Sequence, residues 1–256
     1  MIYDDEYFAK AEAVIMDVLK KVRPELMAAF GNVEFVLKGD KTVVTELDAK
    51  VETLLLEALR EFDPEVGFLG EEHGQEGSTE NLWTIDPIDG TESFIRGLPH
   101  TRNQLAFVQN GQVEYALCYN FPSEDLYIAR RGKGTTMNGT RITITPKPLE
   151  RCWIEVSMDL LDPANYEVFK RLRPQISGAT VMHNFLNIVE GHIDGIVSHI
   201  KGGPWDYAPA SLLLSEAGYK VVNKDFASEY DYSRPGFVVI HPDNFEELQK
   251  LLSPQA

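Results

Sequence analysis

Apolar positions over residues 7–30 (YFAKAEAVIMDVLKKVRPELMAAF) recur three and four apart, which predicts an amphipathic helix divided or kinked at Pro24 and closed by Gly31. Residues 33–45 turn strand-like around a turn at Lys38-Gly39-Asp40-Lys41. A second amphipathic helix is predicted over residues 46–62, stopped by Asp63-Pro64. Short apolar runs at 66–69 and 82–85 then lead straight into acidic residues. Residues 104–109, 113–120 and 125–129 predict a meander, with turns at Asn110-Gly111 and Phe121-Pro122, and Asn138-Gly139 signals another tight turn.

Pro146 and Pro148 mark the predicted boundary between an N-terminal α+β half, 1–145, and a C-terminal α/β half, 146–256. The second half reads as a strand at 153–157, helices at 165–172 and 183–190, and a strand at 193–198. A helix from near Asp206 to Glu216-Ala217-Gly218 and a strand at 219–222 complete it. The fold class is mixed, α+β to α/β, with antiparallel strands concentrated in the first half and a mixed sheet in the second.

Composition excludes several classes. With 43% hydrophobic and 25% charged residues the chain has the makings of a packed core, which rules out extensive disorder. No apolar run approaches the roughly 18 residues that span a bilayer. The acidic start, residues 1–5, lacks the basic-then-apolar pattern of a signal peptide, so a cytoplasmic location is expected. Cys118 and Cys152 form no CxxC spacing; two reduced, buried thiols are the reading, without zinc or redox chemistry.

The net charge of −16, with no Lys/Arg cluster to offset it, argues against nucleic acid and membrane partners. A small phosphorylated ligand would be repelled too, unless bound cations reversed the local potential. Metal binding is thus a condition of any phosphate chemistry here.

Carboxylates stand where strands end. Gly70-Glu71-Glu72 follows one apolar run, and Asp86-Pro87-Ile88-Asp89-Gly90-Thr91 follows another. Pro87 interrupts regular structure and Gly90 permits an unusual backbone angle, so a helix starting near Thr91 would offer N–H groups to a phosphate. Asp86 and Asp89 could supply two hard oxygen ligands and the Ile88 carbonyl a third, a donor set that suits Mg²⁺ better than zinc. The same residues could instead cap a turn and a helix, as Asp206 in Gly202-Gly203-Pro204-Trp205-Asp206 could cap its helix. Asp48 could be a solvated residue near its helix start.

These segments together resemble the inositol monophosphatase family, within the wider group that includes fructose-1,6-bisphosphatases and bacterial histidinol-phosphatases. The blocks are Thr45-Glu46-Leu47-Asp48, Gly70-Glu71-Glu72, Asp86 to Thr91, and Trp205-Asp206 with Glu216-Ala217-Gly218, in the family's order. The resemblance implies a layered αβαβα sandwich and a Mg²⁺-dependent, lithium-sensitive phosphomonoesterase acting as a homodimer on a small phosphorylated polyol, sugar or amino alcohol. It implies one Mg²⁺ on Glu71, Asp86 and the Ile88 carbonyl, a second on Asp86, Asp89 and Asp206, and a weaker third involving Glu71 and water. Gly90 and Thr91 would meet the phosphate, and Asp48 and Thr91 would orient the attacking water.

Departures concern the substrate. His199 stands seven residues before Asp206, where inositol-preferring members carry a Glu that contacts sugar hydroxyls, and a substrate-side role is expected of it and of His183. Phe94-Ile95-Arg96-Gly97-Leu98-Pro99 is similar to the histidinol-phosphatase branch, but His100-Thr101-Arg102 is not. Histidinol-phosphatase or fructose-1,6-bisphosphatase activity on the same scaffold, or a non-catalytic regulatory member, are the alternatives. An aspartyl-phosphate route is disfavoured, since it needs its two aspartates two apart, not three with a proline between. Nucleotide-binding glycine motifs are absent. His73 reads as a solvated loop residue, Trp83 and Trp153 as core, and Trp205 as support for Asp206.

Overall fold

A computed structural model describes residues 2–37, 39, 43–156, 175–176, 181–198, 202–226, 230–234 and 236–252. The chain divides into two compact units, 1–128 and 129–256. The division falls earlier than Pro146 and Pro148. Residues 132–135 belong with the second unit because Glu216 accepts the N–H groups of Gly132 and Gly134, both at 2.8 Å, and the Thr135 hydroxyl donates to the Leu213 carbonyl at 2.6 Å.

In the first unit, α1 (Asp5–Ala29) is followed by the short antiparallel pair β1 (Val36–Leu37) and β2 (Val43–Val44), then α2 (Glu46–Phe62). The predicted turn between β1 and β2 lies, apart from Gly39, outside the described residues. Next come β3 (Gly67–Gly70), β4 (Gly74–Glu76), β5 (Asn81–Asp89), the five-residue α3 (Thr91–Ile95), β6 (Arg102–Gln109) and β7 (Gln112–Asn120). Strand β8 (Asp125–Arg130) crosses the division between units. The sheet order is β4-β3-β5-β6-β7-β8; β3 and β5 are parallel, and β4 with β3, β5 with β6 and β6 with β7 are antiparallel. Helices α1 and α2 pack on one sheet face, where Trp83, Ile85, Leu105, Phe107, Tyr115 and Leu117 meet Phe8, Ile15, Leu19 and Leu55 in one core. Alternation along the strands turns Asp86 and Gln104 to the other face.

In the second unit, β9 (Gly134–Met137) and β10 (Thr140–Arg141) form the hairpin announced by Asn138-Gly139, both of which have positive φ as this two-residue turn requires. Strands β11 (Ile154–Val156) and β12 (Gln175–Ile176), helix α4 (Val181–Val189), strand β13 (Gly195–Ser198) and helix α5 (Pro204–Ala217) follow. Strands β14 (Lys220–Val222) and β15 (Phe237–Ile240) and helix α6 (Phe245–Leu252) complete the described residues. The sheet is mixed, in the order β12-β11-β13-β15-β14, with β11 parallel to both neighbours. The helix expected at 165–172 lies outside the described residues. Strands β4 and β15 and helix α6 have no counterpart in the sequence reading.

Three expectations are corrected. Helix α1 runs unbroken through Pro24, because Pro24 and Lys20, whose carbonyl loses its helical donor, are both exposed and water can serve that oxygen. Trp153 is 48% exposed, not core: it precedes β11, its backbone N–H tied to Asp194 at 2.9 Å and its ring facing out. Trp83, by contrast, is wholly buried. Strand β5 does not stop at Pro87 but continues to Asp89 across a register shift. Both cysteines are free and buried, as expected.

Because the helix tolerates Pro24 without needing it, Pro24→Ala should restore one helical hydrogen bond. We expect a gain of up to about 3 kcal/mol in unfolding free energy, measured by urea denaturation with an unchanged slope.

Candidate metal centre

The segment Asp86 to Thr91 is built around the break in β5. Asp86 pairs with Gln104 and Asp89 with Arg102 on β6, and the register shifts between them, so Pro87 and Ile88 form the irregular step. Ile88 fills the step by burying its side chain in the helix-packed core. The shift therefore returns Asp89 to the same sheet face as Asp86. Their carboxylates offer oxygens within 4.8 Å of one another, and they are 2% and 4% exposed. Gly90 then takes a left-handed conformation, φ 81°, which lets the chain turn at once into α3. Asp89 is not a side-chain cap: the position before α3 belongs to Gly90.

Asn103 and Gln104 on β6 hold this break, and neither they nor the neighbouring Arg102 was expected at the site. Asn103 donates to the Pro87 carbonyl at 2.6 Å, and Gln104 Nε2 donates to Asp86 Oδ2 at 2.9 Å. Arg102 is 2% exposed, and its Nε and Nη1 have no hydrogen-bond partner among the described residues. The available signal was Thr101-Arg102-Asn103-Gln104, four polar residues opening an otherwise apolar strand.

Asp48 is buried, not solvated. Its Oδ2 accepts the Thr45 N–H at 2.9 Å and the Thr45 hydroxyl at 2.6 Å, which closes the N-terminus of α2. Its Oδ1 lies 3.1 Å from the Thr91 hydroxyl, which also lies 3.0 Å from the Ile88 carbonyl, so one proton serves two acceptors. Burial holds the Asp48 carboxyl above the usual carboxylate range. The hydrogen bonds from Thr45 and Thr91 oppose that rise, and the charge of Glu72 adds to it. A cavity of about 470 Å³ opens beside Thr45, lined by residues 33–36 and 44–47.

Glu71 leaves the end of β3 with its N–H bonded to the Ile85 carbonyl at 3.1 Å, directly before Asp86. His73 is an exposed turn residue, as expected, and its ring also touches Glu52 at 2.9 Å and Thr53 at 3.2 Å.

In the second unit, α5 starts at Pro204, so Asp206 is its third residue, not its cap residue. Its Oδ2 accepts the Gly203 N–H at 2.6 Å. A Cβ on Gly202 would sit 2.8 Å from that oxygen, and one on Gly203 would run into the Trp205 ring. Both glycines in Gly-Gly-Pro-Trp-Asp are thus explained by close approach. His183 on α4 is half-buried with Nε2 3.2 Å from Asn187, while His199 lies outside the described residues.

The mixed α/β fold is that of solved inositol monophosphatase structures. The chain belongs to the inositol monophosphatase family, whose sequence model matches residues 4–254. That family is metal-dependent, and its characterised activity is phosphatase activity. A fructose-1,6-bisphosphatase/inositol-1-monophosphatase of Thermotoga maritima is 32% identical over 212 residues, covering 80% of this chain and 82% of that protein. The Nus factor SuhB of Pseudomonas aeruginosa is 32% identical over 219 residues, 79% of each chain. The structure of a Thermotoga maritima IMPase superposes with a TM-score of 0.81 at 28% identity, covering 95% of this chain and 96% of that one. No helix among the described residues is long and apolar enough to cross a membrane.

Proposed function

We propose that this protein is a Mg²⁺-dependent phosphomonoesterase that hydrolyses a small phosphorylated polyol, sugar or amino alcohol through direct attack of water. The observation that carries the reading is the buried Asp86 and Asp89 pair. Two carboxylates with oxygens within 4.8 Å and almost no solvent repel one another, and burial costs several kcal/mol per ion unless cations compensate. A hard, all-oxygen donor set at a strand break fits Mg²⁺.

In this reading Glu71, Asp86 and the Ile88 carbonyl hold one ion, and Asp86, Asp89 and Asp206 hold a second. Glu71 and water take part in a weaker third. Bound Mg²⁺ supplies charge neutralisation of the phosphoryl oxygens and lowers the pKa of water at the site. The chain's own groups do the rest. The Thr91 hydroxyl, donating toward Asp48, leaves its lone pairs to accept a proton from water and fix its direction of attack. Asp48, kept in place by Thr45, is the acceptor at the end of that relay. Gly90 and Thr91 receive phosphate oxygens. Asp206, His183 and His199 stand on the substrate side.

Inositol phosphates and fructose bisphosphate are candidate substrates because relatives of both monophosphatase and bisphosphatase name reach comparable identity, and histidinol phosphate is a candidate on the likeness of Phe94 to Pro99 alone. A second reading, a regulatory role in which turnover is secondary, has one specific support: the equally similar relative named as a Nus factor. The charge of −16 weighs against direct contact with nucleic acid. Lithium sensitivity and a homodimer belong to the first reading, and two free thiols fit the reducing cytoplasm.

The reading predicts Mg²⁺-dependent phosphate release from at least one member of a panel of inositol, glycerol, histidinol and sugar phosphates. Release should stop with EDTA and return with added Mg²⁺; silence across the panel would favour the regulatory reading. Asp89→Asn should keep the circular dichroism spectrum and lose about a hundredfold or more in kcat. His199→Glu should shift relative kcat/KM among substrates and leave the Mg²⁺ concentration for half-maximal rate unchanged. A uniform effect on all substrates would remove His199 from the specificity residues.

A further inference from the structure

Glu52 is fully buried in the middle of α2, yet it makes no part of the site described above. Its carboxylate faces the turn that follows β3. Oε2 accepts the Glu72 N–H at 2.9 Å, and Oε1 accepts the His73 N–H at 2.9 Å and meets the His73 ring Nδ1 at 2.9 Å. The His73 ring is held on its other side by Thr53, the next residue of α2, at 3.2 Å. Gly70 completes the fit from below, since a Cβ there would run into this carboxylate. Glu71 is thus fixed on both flanks: its own N–H is bonded to the Ile85 carbonyl, and its two successors are bonded to Glu52.

We propose that Glu52 is a positioning residue that aims the Glu71 carboxylate at the cation held by Asp86. The inference rests on the metal-dependent reading above and adds to it the part of α2 that sets one ligand. Burying a carboxylate is expensive unless its oxygens are filled. Here they are filled by the backbone of the very turn that carries Glu71, so the helix cannot satisfy Glu52 without fixing that turn. Groups that orient a ligand from behind typically set about 10- to 100-fold in metal affinity.

The test is calorimetric titration of the substrate-free, full-length protein with Mn²⁺. Glu52→Gln keeps the volume but turns an amide N–H toward a backbone N–H. It should bind Mn²⁺ roughly 10- to 100-fold more weakly. It should also need proportionately more Mg²⁺ for half-maximal rate, with KM for substrate unchanged at saturating Mg²⁺. Asp63→Asn is the control. Asp63 is equally buried, but its carboxylate accepts the Tyr7 hydroxyl and the Glu65 N–H and not the turn that carries Glu71, so its loss should lower Tm and leave Mn²⁺ affinity alone. A folded Glu52→Gln protein with wild-type Mn²⁺ affinity overturns the inference. Should Glu52→Gln not fold, His73→Ala decides: its side chain is about a third exposed, its loss should weaken Mn²⁺ binding several-fold, and an unchanged affinity overturns the proposal. Wild-type protein that binds no Mn²⁺ would instead remove the metal reading itself.

Discussion

Asp48 and Glu52 stand one helical turn apart on α2, so a single face of that helix carries two buried carboxylates. Neither can be left unfilled in a dry environment, and each is filled by a different loop. Asp48 takes the Thr45 cap and the Thr91 hydroxyl beyond the break in β5; Glu52 takes the turn beyond β3. The apolar residues of the same helix, Val51, Leu55 and Leu59, dock it onto the sheet through the shared core. Hydrophobic packing thus sets where α2 lies, and hydrogen bonding to two carboxylates sets where two strand-end loops lie relative to it. Everything proposed for the metal centre within the first unit depends on that double registration.

The opposite face of the sheet shows the complementary problem. There Asp86 and Asp89 are also buried, but their protein partners are neutral where they are known, as with the amide of Gln104. Placing Asn103 and Gln104 side by side on β6 divides the labour: one amide pins the irregular backbone at Pro87, the other turns one Asp86 oxygen inward so that its second oxygen has a defined direction. In the proposed metal centre, this is how a strand break would become a ligand geometry without a long loop.

Much of this was legible in the sequence because the relevant signals are local. Helical spacing located α2 almost to the residue, Asn-Gly pairs located two hairpin turns, and Gly-Gly-Pro-Trp-Asp located a helix start whose glycines prove to make room for neighbouring side chains. What escaped depends on contacts distant in sequence. Pro24 is tolerated because of exposure, which the periodicity alone does not price. Trp153 is exposed although its residue type favours burial. The polar opening of β6 reads as an ordinary loop until β5 is laid beside it, and the contact of the exposed His73 with Glu52 shows only once α2 is in place. Strand β15 directly follows Pro235-Gly236, but a wholly apolar run of four residues does not by itself separate a buried strand from a helix segment.

The register shift between Asp86 and Asp89 restricts how this region can diverge. Its two aspartates reach one face only because two residues between them, Pro87 and Ile88, oppose a single residue, Asn103, on the partner strand. A residue deleted between Asp86 and Asp89 would restore regular alternation and keep the shared face, but it would remove the irregular step and with it either the Pro87 carbonyl that Asn103 holds or the Ile88 side chain that fills the core. Substitutions there can be explored one at a time, whereas changes of length cannot. Across descendants of such a chain, the spacing of this segment is therefore a more durable record of shared ancestry than the identity of the residues around it.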